Sequence, residues 1–421
     1  MARILISFLG TGGVITKNND TAPEHDKEPR QYRRANYYLN GKCLGEYTFV
    51  SLALRKEFNA DKAIMIGTVR SMWEEVYLNL KQSSSPDYQP TDDPVYFDIA
   101  EHCDRSSHQS ELELPHQDEI EKALGQDSHV VLIKYGLNDD EIQENINRIL
   151  SLEQYIHNGD ELIIDITHSF RSLPILITQL LLYLKTISNK QITISHVFYG
   201  MLDITKEMGN KTPIVDLASI ININDWIIGA YALKNYGNGS KIAELVESED
   251  KSVSNLIRDF SNAMNLNHIL AIQSQVQRLS GIKNKSYRSR IPEMIIPSTI
   301  EGFVKEFSNI NRHSVFELKL AEWQAKHHNY TAAYISLIES IVTYVCELND
   351  LDDSDFDERE HAKDIIRGKC SGKCDQVVSQ NFWKYNRKRN SLAHSIESTE
   401  SLISMITVLN DGIKLFKTII K

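Results

Sequence analysis

Short apolar runs alternate with helix-like segments through the first half of the chain. Apolar runs bounded by glycine or polar turns are typical of buried strands, and apolar residues three to four positions apart are typical of helices. The pattern predicts strands at residues 4–9, 62–67, 130–136, 162–166 and 192–199, with no clear strand after them. It predicts helices at residues 44–58, 69–80, 142–150 and 173–187.

This alternation predicts an α/β domain with a Rossmann-like, doubly wound parallel sheet covered by helices on both faces. From about Ile220 the pattern becomes helical, with amphipathic stripes at residues 330–345 and 402–420. The fold class is therefore α/β plus all-α. We predict a sheet domain at residues 1–219, a helical linker region at 220–312 and a C-terminal helical domain at 313–421.

The segment 81–125 interrupts the alternation. It is rich in serine, aspartate, proline and histidine, which is typical of a loop. We expect a long loop or an insertion here.

Charge and cysteine content narrow the classes of function. The formal net charge of −11 opposes broad binding to duplex DNA, which depends on neutralising phosphates. The five cysteines are scattered, so we expect free thiols, no metal site and a reducing cytoplasm. No apolar run has the length needed to cross a bilayer and no signal-peptide pattern is present, so no membrane partner is expected.

Three polar turns follow predicted strands, at the edge where parallel sheets bind ligands. The first holds Gly10, Thr11 and Gly12, whose backbone amides could approach a phosphate, although an ordinary tight turn fits equally well. The second holds Thr68 and Arg70. The third precedes a helix, whose N-terminus favours anions, and it offers several donors: Thr167, His168, Ser169 and Arg171. We predict a site for a phosphate-bearing ligand, with helix capping by Ser or Thr as the alternative for the third turn.

A candidate catalytic motif lies near the C-terminus, where Arg389 and Asn390 precede His394. Cleavage of RNA without metal needs a group titrating near neutrality, such as histidine, and a cation for the charge developing on the phosphate. On a regular helix, positions 389 and 394 lie about 140° apart, so the pair converges only at a helix end, at a kink or across a dimer. Arg387 is a rival for the cationic role, and a solvated basic turn is the alternative interpretation.

Together these features resemble the type III CRISPR-associated ribonucleases that join a CRISPR-associated Rossmann fold (CARF) domain to a HEPN domain. The resemblance rests on residues 4–12, the turn at 66–73, the loop at 165–171 and the motif from Arg389 to His394, in that order along the chain. It covers most of the chain, but segments 81–125 and 220–312 carry no matching motif.

The resemblance implies a homodimer, or a higher homo-oligomer, that binds a cyclic oligoadenylate and then cuts single-stranded RNA. Cyclic tetra-adenylate is the first choice of activator and cyclic hexa-adenylate the second, with no cofactor or metal. Arg389, Asn390 and His394 match the catalytic pattern of the family, and Gly10–Gly12 and Thr167–Arg171 match its ligand pocket. Some relatives also cleave their ligand, for which His168 is the suspected residue here.

Two other functions stay open. The protein could be a non-catalytic nucleotide sensor in which Arg389 and His394 are only structural. It could instead be a transcriptional regulator that contacts DNA phosphates through the basic loop 283–290, although the net charge of −11 opposes this.

Overall fold

The computed structural model describes residues 1–13, 30–168, 170, 172–393 and 401–421. Contacts divide the chain into two compact units, Met1–Asn222 and Ile223–Lys421. Each unit has its own hydrophobic core.

The first unit is built on one mixed sheet of eight strands in the order β3-β2-β8-β7-β6-β1-β4-β5. Strands β7, β6, β1, β4 and β5 are mutually parallel, as predicted, whereas β2 with β3 and β7 with β8 pair antiparallel. The strands are β1 Arg3–Leu9, β2 Ala35–Leu39, β3 Lys42–Tyr47, β4 Lys62–Gly67, β5 His129–Leu132, β6 Glu161–Asp165, β7 Thr193–Gly200 and β8 Thr212–Asp216.

Helices cover both faces of this sheet, which confirms the doubly wound α/β prediction. Successive residues of a strand point to opposite faces, so Ile4, Ile6 and Phe8 pack against one helical layer while Leu5 and Leu9 face the other. The helices of this unit are α1 Val50–Phe58, α2 Trp73–Ser84, α3 Pro94–Arg105, α4 Gln117–Leu124, α5 Asp139–Leu150 and α6 Leu173–Thr186.

Three local predictions were wrong. Residues 44–47 belong to strand β3 rather than to a helix that continues to residue 58. Strand β8 follows the last strand that the pattern predicted. Segment 81–125 is not a long loop, because it contains α3 and α4. In α3, Tyr96, Ile99 and Cys103 share one face and are buried in the core, and the side chain of Asp93 caps the helix N-terminus.

The second unit consists of helices, in agreement with the prediction for this part of the chain. A helix that spans the boundary, α7 Ala218–Tyr236, leads into it. The others are α8 Ser240–Val246, α9 Lys251–Asn265, α10 Ile269–Leu279, α11 Arg290–Phe307, α12 His313–Lys326, α13 Tyr330–Leu348, α14 Phe356–Ile366, α15 Gln376–Ala393 and α16 Leu402–Phe416.

Helix α12 contributes to two hydrophobic cores. Phe316, Leu320 and Trp323 pack with α9, α10 and α11. Leu318, Ala321 and Ala325 pack with α13 to α16. Apolar residues all around a helix are typical of a helix enclosed by other elements, and α12 therefore joins the two sets of helices.

Helix α13 is the one helix among the described residues that is long and apolar enough to cross a membrane, by length and composition only. Most of it is buried within the second unit, where it contributes to the hydrophobic core. Ser336, Ser340 and Thr343 interrupt its apolar positions, so no continuous apolar run of that length is visible in the sequence.

Candidate functional site

The three predicted turns leave the sheet at the same edge. Strand β1 lies between β6 and β4 and runs parallel to both. Ser7 pairs with Asp165, and Leu9 pairs with Gly67, so the carboxyl ends of the three strands are adjacent. In an open α/β sheet, this is where ligands bind.

Gly10 holds two of these turns together. Its carbonyl oxygen accepts a hydrogen bond of 3.0 Å from the backbone N–H of Met72, which precedes α2. A Cβ atom at Gly10 would lie 3.7 Å from the Cβ of His168. The backbone of the first turn therefore contacts the third turn directly.

Gly12 is required by both conformation and space. Its φ of +65° lies in the left-handed region, and a Cβ atom there would lie 2.6 Å from a ring carbon of Tyr32. The Tyr32 hydroxyl donates to the carboxylate of Glu74, which also forms an ion pair of 2.6 Å with Arg30. Because Glu74 is fully buried, this network fixes the chain beside the glycine turn.

A buried carboxyl group lies beneath the site. Asp165 is fully buried and accepts a hydrogen bond of 2.7 Å from the Ser7 hydroxyl and one of 2.9 Å from the Thr167 backbone N–H. Burial raises the pKa of Asp165, against the opposing effect of His168 and the two hydrogen bonds. The Thr167 hydroxyl in turn accepts a 2.8 Å hydrogen bond from the Gly200 N–H.

His168 lies at the centre of the edge and is half-buried. Burial lowers the pKa of its imidazole, while the carboxyl of Asp165 acts in the opposite direction. Its Nε2 lies 3.5 Å from the hydroxyl of Tyr37, a buried residue of β2. Tyr37 was not among the predicted site residues, because neither β2 nor this contact across 131 positions was predicted.

The other predicted ligand residues differ in their exposure to solvent. Thr68 is buried, and its hydroxyl lies 3.3 Å from that of Ser71, so it supports the turn from within. Thr11 and Arg70 are exposed. Ser169 and Arg171 lie outside the described residues. Arg33 was not predicted, and it is exposed beside the first turn, where its N–H bonds the Gly13 carbonyl at 2.8 Å.

Two of the three predicted catalytic residues lie on α15. Arg389 and Asn390 are both half-buried, and His394 lies outside the described residues. Arg389 donates to the side-chain oxygen of Asn386 at 3.3 Å. Its Nε is buried and has no hydrogen-bond partner within the described parts of the chain. The convergence of Arg389 with His394 stays a prediction.

Arg387 lies on a different face of α15 and lines a cleft of about 520 Å³ between α15 and α16. Lys384 and Lys388 add positive charge to this cleft, and Trp383 adds an aromatic ring. Its lining residues also include Gln380, Ser391, Ser404, Met405 and Val408. Cationic side chains beside an aromatic ring are suited to bind a single-stranded nucleic acid.

The basic loop that would contact DNA is partly neutralised. Lys285 forms an ion pair of 2.8 Å with Asp250, which offsets its positive charge. This contact opposes the transcriptional-regulator alternative, which depends on free positive charge in this loop.

Comparisons with known proteins identify relatives of both units. A sequence model for the CARF domain of the CRISPR system endoribonuclease Csx1 matches residues 4–203. A model for the second domain of CRISPR-associated protein MJ1674 matches residues 222–314. MJ1674 of Methanocaldococcus jannaschii itself is 30% identical over 414 residues, which are 94% of this chain. The chain spans 62% of the length of that relative.

A solved structure, Enterococcus italicus Csm6 bound to cyclic hexa-2'-fluoro-hexa-dAMP, aligns with 99% of this chain and 94% of its own. The identity is 11% and the TM-score is 0.39, a level that says nothing about the ligand or activity of the present chain. The assignment instead follows from the Csx1 CARF match to the first unit and from the similarity to MJ1674 over 94% of this chain. Residues 4–203 therefore belong to the CARF-domain family represented by Csx1, and the chain as a whole is similar to a CRISPR-associated protein.

Proposed function

We propose that this protein is a metal-independent endoribonuclease that a cyclic oligoadenylate activates. In this proposal the sheet edge of the first unit binds the oligoadenylate. The C-terminal helices form a HEPN-like domain that cuts single-stranded RNA with Arg389, Asn390 and His394. The protein acts in the cytoplasm as a homodimer.

The observation that carries the proposal is the convergence of the three turns within the segment that matches a CARF domain. Backbone amides at Gly10–Gly13 and the exposed side chains of Arg33 and Arg70 favour a ligand with several phosphates. His168 offers an imidazole that is neutral near pH 7, since burial lowers its pKa. A neutral imidazole can donate to or accept from a ribose or a base.

The catalytic step follows from the side chains of the motif. His394 takes the proton of the 2′-hydroxyl, or returns a proton to the leaving 5′-oxygen. Arg389 stabilises the charge on the phosphorus oxygens in the transition state. The basic cleft that Arg387 lines would hold the RNA strand. Arg387 would then bind the substrate, while Arg389 stabilises the transition state.

An exposed apolar face supports the homodimer. Ile220, Ile227 and Tyr231 of α7 are 55%, 55% and 60% exposed, and their spacing of seven and four residues places them on one side of the helix. Contiguous exposed apolar residues often mark an interface between proteins. A cyclic ligand with two-fold symmetry would suit a two-fold dimer.

The test uses a quenched fluorescent RNA in EDTA, with no activator, with cyclic tetra-adenylate or with cyclic hexa-adenylate. We expect cleavage by the wild type with only one ligand, most readily the tetra-adenylate. His394→Ala and Arg389→Ala should each lower the rate at saturating RNA by about 10²-fold or more. Arg387→Ala should mainly raise the RNA concentration needed for half-maximal rate.

Binding of the labelled oligoadenylate, measured on the same samples, is the control for folding. Equal affinity in wild type and His394→Ala with loss of cleavage only in the variant supports the proposal. If a ligand binds and no RNA is cut, the sensor alternative replaces the ribonuclease. If Arg387→Ala abolishes the rate and Arg389→Ala does not, the assignment of the catalytic cation is reversed.

A further inference from the structure

A second polar cleft lies in the helical unit, away from α15. It has a volume of about 320 Å³, and we call it the Glu317 cleft. One wall is the turn between α9 and α10, and the opposite wall comes from α12, α13 and the start of α14. Its lining residues are Asn267, His268, Ile269, Leu270, His313, Glu317, Ile335, Glu339, Thr343, Asp353, Ser354 and Arg359.

Three carboxyl groups line this cleft, and two of them have cationic or imidazole partners. Glu339 forms an ion pair with Arg359. Asp353 lies 2.8 Å from Nδ1 of His313. Arg359 is further fixed by hydrogen bonds to the hydroxyl of Thr343 at 3.0 Å and to the Asp353 carbonyl at 2.8 Å. Both of these carboxyl groups therefore already have side-chain partners.

The third carboxyl group, that of Glu317, has an oxygen atom without a partner in the part of the chain that the structure describes. Its residue is 7% exposed, and its Oε2 is buried with no hydrogen-bond partner within the described parts of the chain. Leaving a buried acceptor unpaired costs about 1–3 kcal/mol. A buried unpaired acceptor needs a physical explanation, and in a cleft a ligand that donates to it supplies one.

A second unpartnered group of the opposite kind lines the same cleft. The side-chain nitrogen of Asn267 is buried and has no acceptor among the described residues, although its oxygen accepts a 2.7 Å hydrogen bond from Gln324. The cleft thus offers a free acceptor and a free donor. Ile269, Leu270 and Ile335 supply apolar surface beside them.

We propose that the Glu317 cleft binds a small aliphatic amine that also carries an oxygen acceptor, as an amino alcohol does. The ammonium group donates to Oε2 of Glu317, and the oxygen accepts from the amide nitrogen of Asn267. The alkyl chain lies against Ile269, Leu270 and Ile335. Since Asn267 precedes α10 and Glu317 belongs to α12, the bound amine bridges the helices on either side of the cleft.

The proposal makes binding depend on pH. Burial is the main reason that the pKa of Glu317 is raised to about 8; Thr343 and Arg359 lower it, and Glu339 and Asp353 raise it. His313 and His268 are the other titratable groups of the cleft. Only the ionised carboxylate pairs with an ammonium group, so affinity should rise about tenfold per pH unit below that pKa. Near pH 7, binding should release close to one proton.

The test titrates the full-length protein with 4-amino-1-butanol, n-butylamine and 1,4-butanediol in a calorimeter. We expect the amino alcohol to bind most tightly, n-butylamine more weakly and the neutral diol not at all. Titration in two buffers with different ionisation heats measures the proton release. Equal binding of the diol and the amines, or no amine binding up to about 10 mM, overturns the proposal.

Variants of α12 localise the site. Glu317→Gln keeps the shape of the side chain but cannot carry charge, so it should abolish the pH-dependent binding. Glu317→Asp keeps the charge and should bind more weakly, still with proton release. Glu322→Gln is the matched control, because Glu322 lies on the same helix and pairs with Lys417 at 2.7 Å outside the cleft. Unchanged binding in Glu317→Gln contradicts the site.

Discussion

Replacing Glu317 by glutamine should stabilise the helical unit, and the gain should grow with pH. Burial raises the pKa of Glu317 from 4.5 to about 8. A carboxyl group whose pKa is higher in the folded state than in the unfolded state stabilises the folded state. This contribution is complete at pH values below the unfolded-state pKa. That contribution is lost as pH rises toward the folded pKa, because the unfolded chain ionises freely. Glutamine has no ionised form, so the variant lacks this dependence.

The size of the effect follows from the two pKa values. At pH 7 the unfolded carboxyl is almost fully ionised and the folded one is mostly protonated, which favours the unfolded wild type by about 3 kcal/mol. At pH 5 the same difference falls to about 1 kcal/mol. Glu317→Gln should therefore raise the free energy of unfolding by about these amounts, provided that no amine occupies the cleft.

Urea unfolding followed by tryptophan fluorescence measures this difference between pH 5 and pH 8. Three of the four tryptophans, Trp226, Trp323 and Trp383, lie in the helical unit, so the signal reports mainly on that unit. Glu322→Gln should differ from wild type by no more than about 0.5 kcal/mol, as is usual for an exposed ion pair. A destabilised Glu317→Gln, or a difference that does not change with pH, would refute the reasoning about burial.

Three further predictions concern the first unit and the dimer. Gly12→Ala should abolish oligoadenylate binding, because the backbone at position 12 is left-handed and a Cβ atom has no space there. Gly41 is also left-handed but has open space around it, so Gly41→Ala should preserve binding in a fluorescence titration. Ser7→Ala should lower the free energy of unfolding by about 1–3 kcal/mol in urea, since buried Asp165 loses a donor; an unchanged midpoint would contradict this. Tyr231→Glu should shift a homodimer toward monomer in light scattering, and unchanged mass would remove α7 from the interface.

The centre of the sheet was predictable because its strands carry runs of buried apolar residues. β1 and β6 are buried along nearly their whole length, and such runs signal central parallel strands. The edge strands carry no such signal: β2 reads Ala-Asn-Tyr-Tyr-Leu and is only partly buried. The apolar positions of α3 were visible but were outweighed by the serines and prolines around them.

The candidate sites were predictable only where one segment carries the chemistry. Gly10, Gly12 and His168 stand at strand ends, which a sequence shows. The pairing of His168 with Tyr37 depends on the position of an unpredicted strand. The Glu317 cleft combines residues from position 267 to position 359. No spacing along the chain marks such a cluster, because it is formed by the packing of separate helices.

Because α12 packs into two cores, we expect α9–α11 and α13–α16 to unfold together rather than separately. Removing α12 from α9–α11 would expose Phe316, Leu320 and Trp323, and it would also pull Leu318, Ala321 and Ala325 from the other core. The free energies of sub-global opening on the two sides are then linked. The match to the second domain of MJ1674 ends at residue 314, just before these side chains, so that segment would not be an autonomous folding unit. The most protected amide hydrogens of α9 and of α13 should accordingly exchange slowly and report the same free energy of opening.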